Sequence, residues 1–480
     1  MRILLRLAAV SIAGAVLYLA GVVNSIVIND PSPGGAMIVV SAIAAAFLLT
    51  VLALRGTAGA QRPLSTRRSD RWLMRGAWAF VCLMALVSLA WVYGVPRQRG
   101  FDWTPYHNDA IALNECAARM ILRGEAPYAS LDLFACYRER NIGADRTTPL
   151  RRGLFADLTV YPTDDELDAA WALRSRGEGQ NVEFVWRPSY PAVSFLAIVP
   201  WAAAGWDPNV LYLLCLAAAM TLILARAAAP LRPWLLTAML GATSLVAFTI
   251  GGSADLLYAL PLTAAWLWRE RSWSALLYGA AAATKQIAWF FAPFLLLQWL
   301  ARYGVREALR RSALSFATFL ALNAPLVLPD PGAWLAGVIT PVIEPMFARG
   351  AGLVFLGTNG VGPLLPNAAY LALELAALAA ALAIAWRERE RSPELGIVLA
   401  VLPLYFAHRS LFSYFFLLPL FAFAGLARQP ATAWAADRLQ RAGALTLFFI
   451  PGPGSTPSTP APGGPAARSG KALPRLRPQR

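Results

Sequence analysis

The sequence predicts an all-α polytopic membrane protein of about twelve transmembrane helices, and three observations carry that prediction. Of 480 residues, 58% are hydrophobic and only 14% are charged, whereas soluble chains carry about a quarter charged residues. The mean hydropathy is positive, at +0.51. Apolar runs at residues 37–54, 72–92, 209–224 and 367–386 approach or reach the roughly 20 residues that cross a bilayer core. These features exclude a soluble enzyme, a coiled coil and a disordered scaffold.

The net charge of +15 would point to nucleic acid in a soluble chain. Here the arginines cluster in short loops between apolar runs, the positive-inside pattern of cytoplasmic loops, and no basic patch is interleaved with aromatics. Taken in order, Arg2 and Arg6 precede a first span at 3–22, which runs past signal-peptide length without a clear cleavage site. Residues 36–54 return to a basic loop carrying Arg62, Arg67, Arg68 and Arg71, and residues 72–95 go out again. Residues 96–187 then form a long hydrophilic loop outside.

Parity constrains the next stretch. Arg226 and Arg232 read as cytoplasmic, so an odd number of crossings separates them from the outer loop. Two apolar segments, 190–205 and 209–224, lie between. The first is shorter, contains Pro191 and Pro200, and is flanked by Trp186, Trp201 and Trp206, which suits the membrane interface; it is predicted not to cross. Basic residues at 269–271 and 302–311 require residues 272–301 to go out and return. Two helices of about 13 residues, each roughly 20 Å long, would meet near Lys285 beneath the outer surface, a geometry that persists only beside a protein cavity. Continuing, 329–366 is outside, 367–386 returns, 395–407 goes out, His408-Arg409-Ser410 is an outer turn, and 411–427 comes back. Three parts result: 1–71 with two helices and a basic loop, 72–427 with the outer loop 96–187, and a basic tail, 428–480. From Pro451 the tail is rich in Pro, Gly, Ser and Thr and lacks the apolar content to fold.

The polar outliers fall on the outer side. Phe101-Asp102-Trp103 and Tyr106-His107-Asn108-Asp109 precede Ala110, Leu113, Ala117, Met120 and Ile121 at helical spacing, with Glu115 and Arg119 four apart on another face. This predicts a surface-lying amphipathic helix that starts at Asp109 and stops at Gly124; a plain capping role for Asn108 or Asp109 fits the same pattern. Thr163-Asp164-Asp165-Glu166 reads as a capping box rather than an acidic metal motif. The chain holds only two lysines among 42 basic residues. One of them, Lys285, lies in an apolar segment, where an ionisable group is costly and marks a functional candidate; snorkelling to the interface is the alternative. Asp255, after Gly251-Gly252-Ser253, is its counter-charge or a helix cap. Arg409, on an outer turn and followed by Tyr414, suits a phosphate, which a guanidinium binds with two parallel hydrogen bonds; an ordinary loop arginine is the other reading. Cys82 and Cys215 fall in spans, whereas Cys116 and Cys136 share the outer loop and are free to pair there if it is extracytoplasmic. His107 and His408 lack metal-ligand spacing.

The order of these motifs resembles the C-type (GT-C) integral-membrane glycosyltransferases. It runs from Asp109 through Gly124-Glu125-Ala126-Pro127-Tyr128 and Trp186-Arg187-Pro188-Ser189-Tyr190-Pro191-Ala192. It continues with Gly279-Ala280-Ala281-Ala282-Ala283-Thr284-Lys285 and ends with Arg409-Ser410 and Tyr414. Within that superfamily it is most similar to the polyprenyl-phosphomannose-dependent mannosyltransferase branch, glycosyltransferase family 87. The resemblance covers residues 96–426; the first two spans and the long insertion at 129–185 depart from it.

The resemblance implies an inverting transfer of a sugar from a polyprenyl-phosphate donor to a lipid or glycan acceptor, at the extracytoplasmic face of the plasma membrane. It implies Asp109 as catalytic base, with Asp102 as the alternative. One carboxylate suffices because the lipid phosphate is already a good leaving group, unlike glycosidases, which use two. Lys285, Arg409 and Arg187 would neutralise the departing phosphate, with Asp255, His408, Tyr414 and Tyr190 in support. Mannose follows from the branch; arabinose, glucose and aminoarabinose fit the same chemistry. No metal site is built from these residues, although the acidic outer loop leaves room for a divalent cation. A transporter or flippase of a lipid-linked sugar, using Asp255, Lys285 and Glu374 as intramembrane charges, is the competing reading. The absence of two related halves speaks against it. A non-enzymatic assembly factor would leave the outer-face clustering without a purpose.

Overall fold

The computed structural model describes residues 2–56, 68–98, 109–130, 132–139, 143–178 and 182–429. Asp102, His107, Asn108 and the basic tail beyond residue 429 lie outside the described residues, as does the side chain of Asp109. Five helices are long and apolar enough to cross a bilayer: Ile3–Ile28, Pro33–Leu54, Trp72–Gly94, Pro208–Arg226 and Asn367–Arg387. Two bent pairs raise that number to seven. They are Ala229–Gly241 with Thr243–Ile250, at 55°, and Gln286–Val327 with Pro331–Val338, at 118°.

This falls short of the expected twelve spans; other apolar helices, such as Leu256–Leu267 and Phe412–Ala427, are shorter. Prolines account for part of the shortening, because each removes an intrahelical hydrogen bond; Pro261 sits inside Leu256–Leu267. At 1.5 Å per residue that helix reaches only about 18 Å. The architecture is an all-α membrane protein with five to seven continuous candidate spans. Leu83, Leu86, Leu371 and Leu375 are all more than half exposed, a belt that suits acyl chains better than water.

The first helix packs against the second and also against Arg232–Gly241 and Thr243–Ile250, and Trp91 Nε1 donates to the Tyr18 hydroxyl at 3.2 Å. The two N-terminal helices are thus built into the bundle. Residues 190–205 break into two short helices, Val193–Leu196 and Val199–Ala203. The basic stretch 302–311, expected as a loop, is helical within Ala292–Val327, and the chain kinks at Gly304, whose φ of 77° disfavours any residue with a Cβ.

Arginine-rich segments gather at one end of the bundle. Arg6 donates to Arg55 O, and Gly56 N donates to Ser392 Oγ. Arg269 grips Glu394 through both terminal nitrogens at 2.9 and 2.7 Å, and Arg428 pairs with both Glu394 and Glu270. Arg311 donates to the carbonyls of Arg269 and Glu270. Arg311 also pairs with Glu307 at 2.8 Å, so each of these three arginines has a carboxylate partner, as burial requires.

The described residues between 109 and 187 fold as a small unit. The Thr163 hydroxyl accepts from Glu166 N, and the Glu166 carboxylate accepts from Thr163 N at 2.8 Å, so the helix Asp164–Ser175 opens with the expected capping box. Phe134, Phe155, Phe184 and Phe347 bury one another, and Cys116 and Cys136 form a disulfide. The helix Asp109–Leu122, expected to lie on the surface, is buried on nearly all sides instead. Ala112, Leu113, Cys116 and Met120 pack toward Tyr137 and Trp171, and Ala117 packs toward Tyr128, Ala192 and Phe195. Even Glu115, paired with Arg119 at 3.1 Å, is only 4% exposed.

Candidate functional site

Beneath this buried helix lies a cavity of about 1270 Å³. Residues far apart in the chain line it: Tyr18 and Ser25 from the first helix, Ala110 from the start of Asp109–Leu122, Ser189 and Tyr190, Asp255, Lys285 and Gln286, Glu374, His408 and Arg409, and Tyr414. Much of the remaining wall is apolar, including Ile287, Phe290, Val342 and Phe416.

Lys285 reaches the cavity because the chain breaks there. The helix Ser274–Ala282 ends, Lys285 is extended at φ −154° and ψ 142°, and a 3-10 turn, Gln286–Phe291, follows. The Lys285 ammonium donates to Asp255 Oδ1 at 2.6 Å, with the side chains only 12% and 5% exposed, and it stands 5.0 Å above the centre of the Tyr190 ring. Asp255 makes no capping hydrogen bond to the helix it precedes, so its carboxylate serves the ammonium. Gln286 fixes the neighbouring walls by donating to Ser189 O at 2.6 Å and to Val338 O at 2.8 Å.

Arg409 is held by strand pairing. Arg349–Gly350 runs parallel to Arg409–Ser410, with Arg349 N donating to His408 O at 3.2 Å and Ala351 N to Ser410 O at 2.7 Å. Only glycine fits at 350: its φ is 146°, and a Cβ there would strike the Ser410 backbone. The Arg409 guanidinium has one long hydrogen bond, to Phe347 O at 3.4 Å. Among the described residues no carboxylate lies within ion-pair distance of it, so its charge is available to a ligand. Next to it, burial first, and then the positive charges of Arg409 and Arg151, push the His408 imidazole down to about 4. His408 is therefore neutral at physiological pH, and its ring packs 6.1 Å from that of Tyr370.

The motif segments meet one another. The Tyr128 hydroxyl donates to Tyr190 O at 2.6 Å, Ala192 N donates to Asn323 Oδ1 at 2.9 Å, and Val193 N donates to Ala283 O at 3.0 Å. Lys285, Arg409, Asp255, His408, Tyr414 and Tyr190 all line the cavity, and Asp109 opens the helix whose next residue, Ala110, lines it too. Arg187 does not line it; its guanidinium stacks on the Trp186 ring at 4.6 Å. Among the described residues no group of three or more His, Cys, Asp and Glu side chains is placed to hold a metal.

Sequence reasoning missed Gln286 and Asn323, whose amides tie backbone segments together and leave no spacing signal. It also missed the contribution of the first helix. There a signal existed, since Tyr18, Gly21, Val22 and Ser25 recur at intervals of three and four, one helical face, and all four line the cavity. No family model, curated protein or solved structure matches this chain.

Proposed function

We propose that the protein is an integral-membrane glycosyltransferase that moves a sugar, mannose in the first instance, from a polyprenyl-phosphate donor to a lipid or glycan acceptor at the extracytoplasmic face. The observation that carries this reading is one cavity in which a guanidinium without an ion-pair partner among the described residues, an ammonium and the start of the Asp109–Leu122 helix converge beside an apolar wall. Phosphate is the group a guanidinium and an ammonium jointly favour, and the apolar wall suits an isoprenoid chain.

In this reading the acceptor hydroxyl attacks the anomeric carbon from the face opposite the phosphate. The bond between the anomeric carbon and the phosphate oxygen breaks, polyprenyl phosphate departs, and the acceptor proton passes to the Asp109 carboxylate. Arg409 and Lys285 stabilise the charge that grows on the leaving phosphate. Asp255 holds the Lys285 ammonium in position through their 2.6 Å hydrogen bond. Neutral His408 adds no competing charge and offers a hydrogen bond.

The experiment is to incubate membranes containing the protein with radiolabelled polyprenyl-phosphate mannose, glucose and arabinose and to follow the label. Transfer into a new glycosidic product, with mannose preferred, supports the reading. Movement of the labelled lipid across the membrane without a new bond refutes it in favour of a flippase.

A further inference from the structure

One cavity-lining charge has no part in the transfer scheme. Glu374 lies in the middle of the Asn367–Arg387 helix, on the face that also presents Leu378 to the cavity. Seven residues into that helix, it sits about 10 Å below the helix start. Among the described residues it has no hydrogen-bond or ion-pair partner, unlike Asp255, which Lys285 satisfies. An ionisable group at such a depth is unfavourable unless something answers it, and an isoprenoid chain carries no hydrogen-bond donor to do so.

The position of Glu374 says what answers it. Tyr370, one turn earlier on the same helix, packs against His408, and His408 adjoins Arg409. Side chains four apart on a helix stand about 6 Å from one another, roughly the width of one sugar ring. Arg409 and Glu374 line the same cavity, so a ligand held by its phosphate on Arg409 shares that space with the carboxylate. Among the described residues neither Arg409 nor Glu374 has an ion-pair partner, and both line one cavity, a pattern that fits a ligand with an anion at one end and hydrogen-bond donors at the other.

We propose that Glu374 is the specificity-determining residue for the transferred group, accepting hydrogen bonds from the hydroxyls of a neutral sugar on the lipid phosphate. The proposal rests on the transferase reading for the identity of the ligand, but its test is a binding measurement that does not require turnover. A carboxylate that accepts hydroxyl hydrogen bonds discriminates sharply against a ligand lacking them, because the buried acceptor is then left unpaired.

The full-length protein is reconstituted in nanodiscs and titrated with polyprenyl phosphate and with polyprenyl-phosphomannose. The wild type is expected to bind the mannosylated lipid about 10- to 100-fold more tightly than the bare phosphate. Glu374→Leu should erase that difference while binding bare polyprenyl phosphate as before, which also shows that the variant is folded. Glu374→Gln, which keeps an acceptor carbonyl, should retain part of it. A wild type with no preference, or a Glu374→Leu variant that keeps the full preference, overturns the proposal. An intact, Glu374-dependent preference without any sugar transfer refutes the transferase reading and leaves the role of Glu374 standing; binding of neither lipid refutes both.

Discussion

At the scale of single residues, the site works by assigning each charge a different environment. Lys285 is satisfied by Asp255 at 2.6 Å, Arg409 meets, among the described residues, one backbone carbonyl, and His408 is kept neutral. The last of these gives a pH dependence with a definite sign. An imidazole in an unfolded chain titrates near 6.5, whereas in the folded protein His408 is pushed down to about 4, by burial and then by Arg409 and Arg151. Above pH 6.5 both states are neutral and the residue contributes nothing to pH dependence. Between about 6.5 and 4 the unfolded state binds the proton and the folded state does not, so stability falls as the pH falls. Melting curves from pH 7.5 to 4.5 should therefore show an acid-side loss that His408→Asn reduces. An identical loss in that variant would mean that His408 remains as easily protonated as in the unfolded chain.

At the scale of elements, legibility followed the kind of signal each segment carries. The break at Lys285 was readable because a lone lysine and parity arguments coincided, and the capping box at Thr163 because side-chain capping follows a fixed spacing. The burial of Asp109–Leu122 was not readable. Its apolar stripe is visible, but the partners that enclose it, Trp171, Tyr137, Ala192 and Phe195, arrive from distant sequence. Arg187 was read as a phosphate ligand from its motif; the structure stacks it on its neighbour Trp186, a contact that sequence spacing does not report. The Cys116–Cys136 disulfide joins the Asp109–Leu122 helix to Leu133–Glu139 across 20 residues. A loop of that length implies a stabilisation of about 3 kcal/mol. Reduction should therefore lower the melting temperature of the purified protein and slow any transfer, because this helix carries Asp109. Reduction without effect on either would show that the outer unit holds the helix in place without the cross-link.

At the scale of the whole molecule, the 21-residue Asn367–Arg387 helix spans two poles. Near its start Tyr370 meets His408. Beyond its end, the chain reaches Glu394, where Arg269 and Arg428 converge. The length between Tyr370 and the end of the helix, about 25 Å, sets the Tyr370–His408 contact apart from the arginine-rich end. The cavity itself depends on the entire fold, since its walls come from the first helix, the outer loop and the last helices alike. In the proposed reaction Asp109, at the head of a helix over this cavity, acts on a sugar whose phosphate rests on Arg409 and Lys285. The most direct test of this role is the rate of mannose transfer from polyprenyl phosphate in proteoliposomes, measured for the wild type and for Asp109→Asn. A loss of about 100- to 10,000-fold in kcat with donor binding preserved is expected. Full activity in Asp109→Asn would contradict this role.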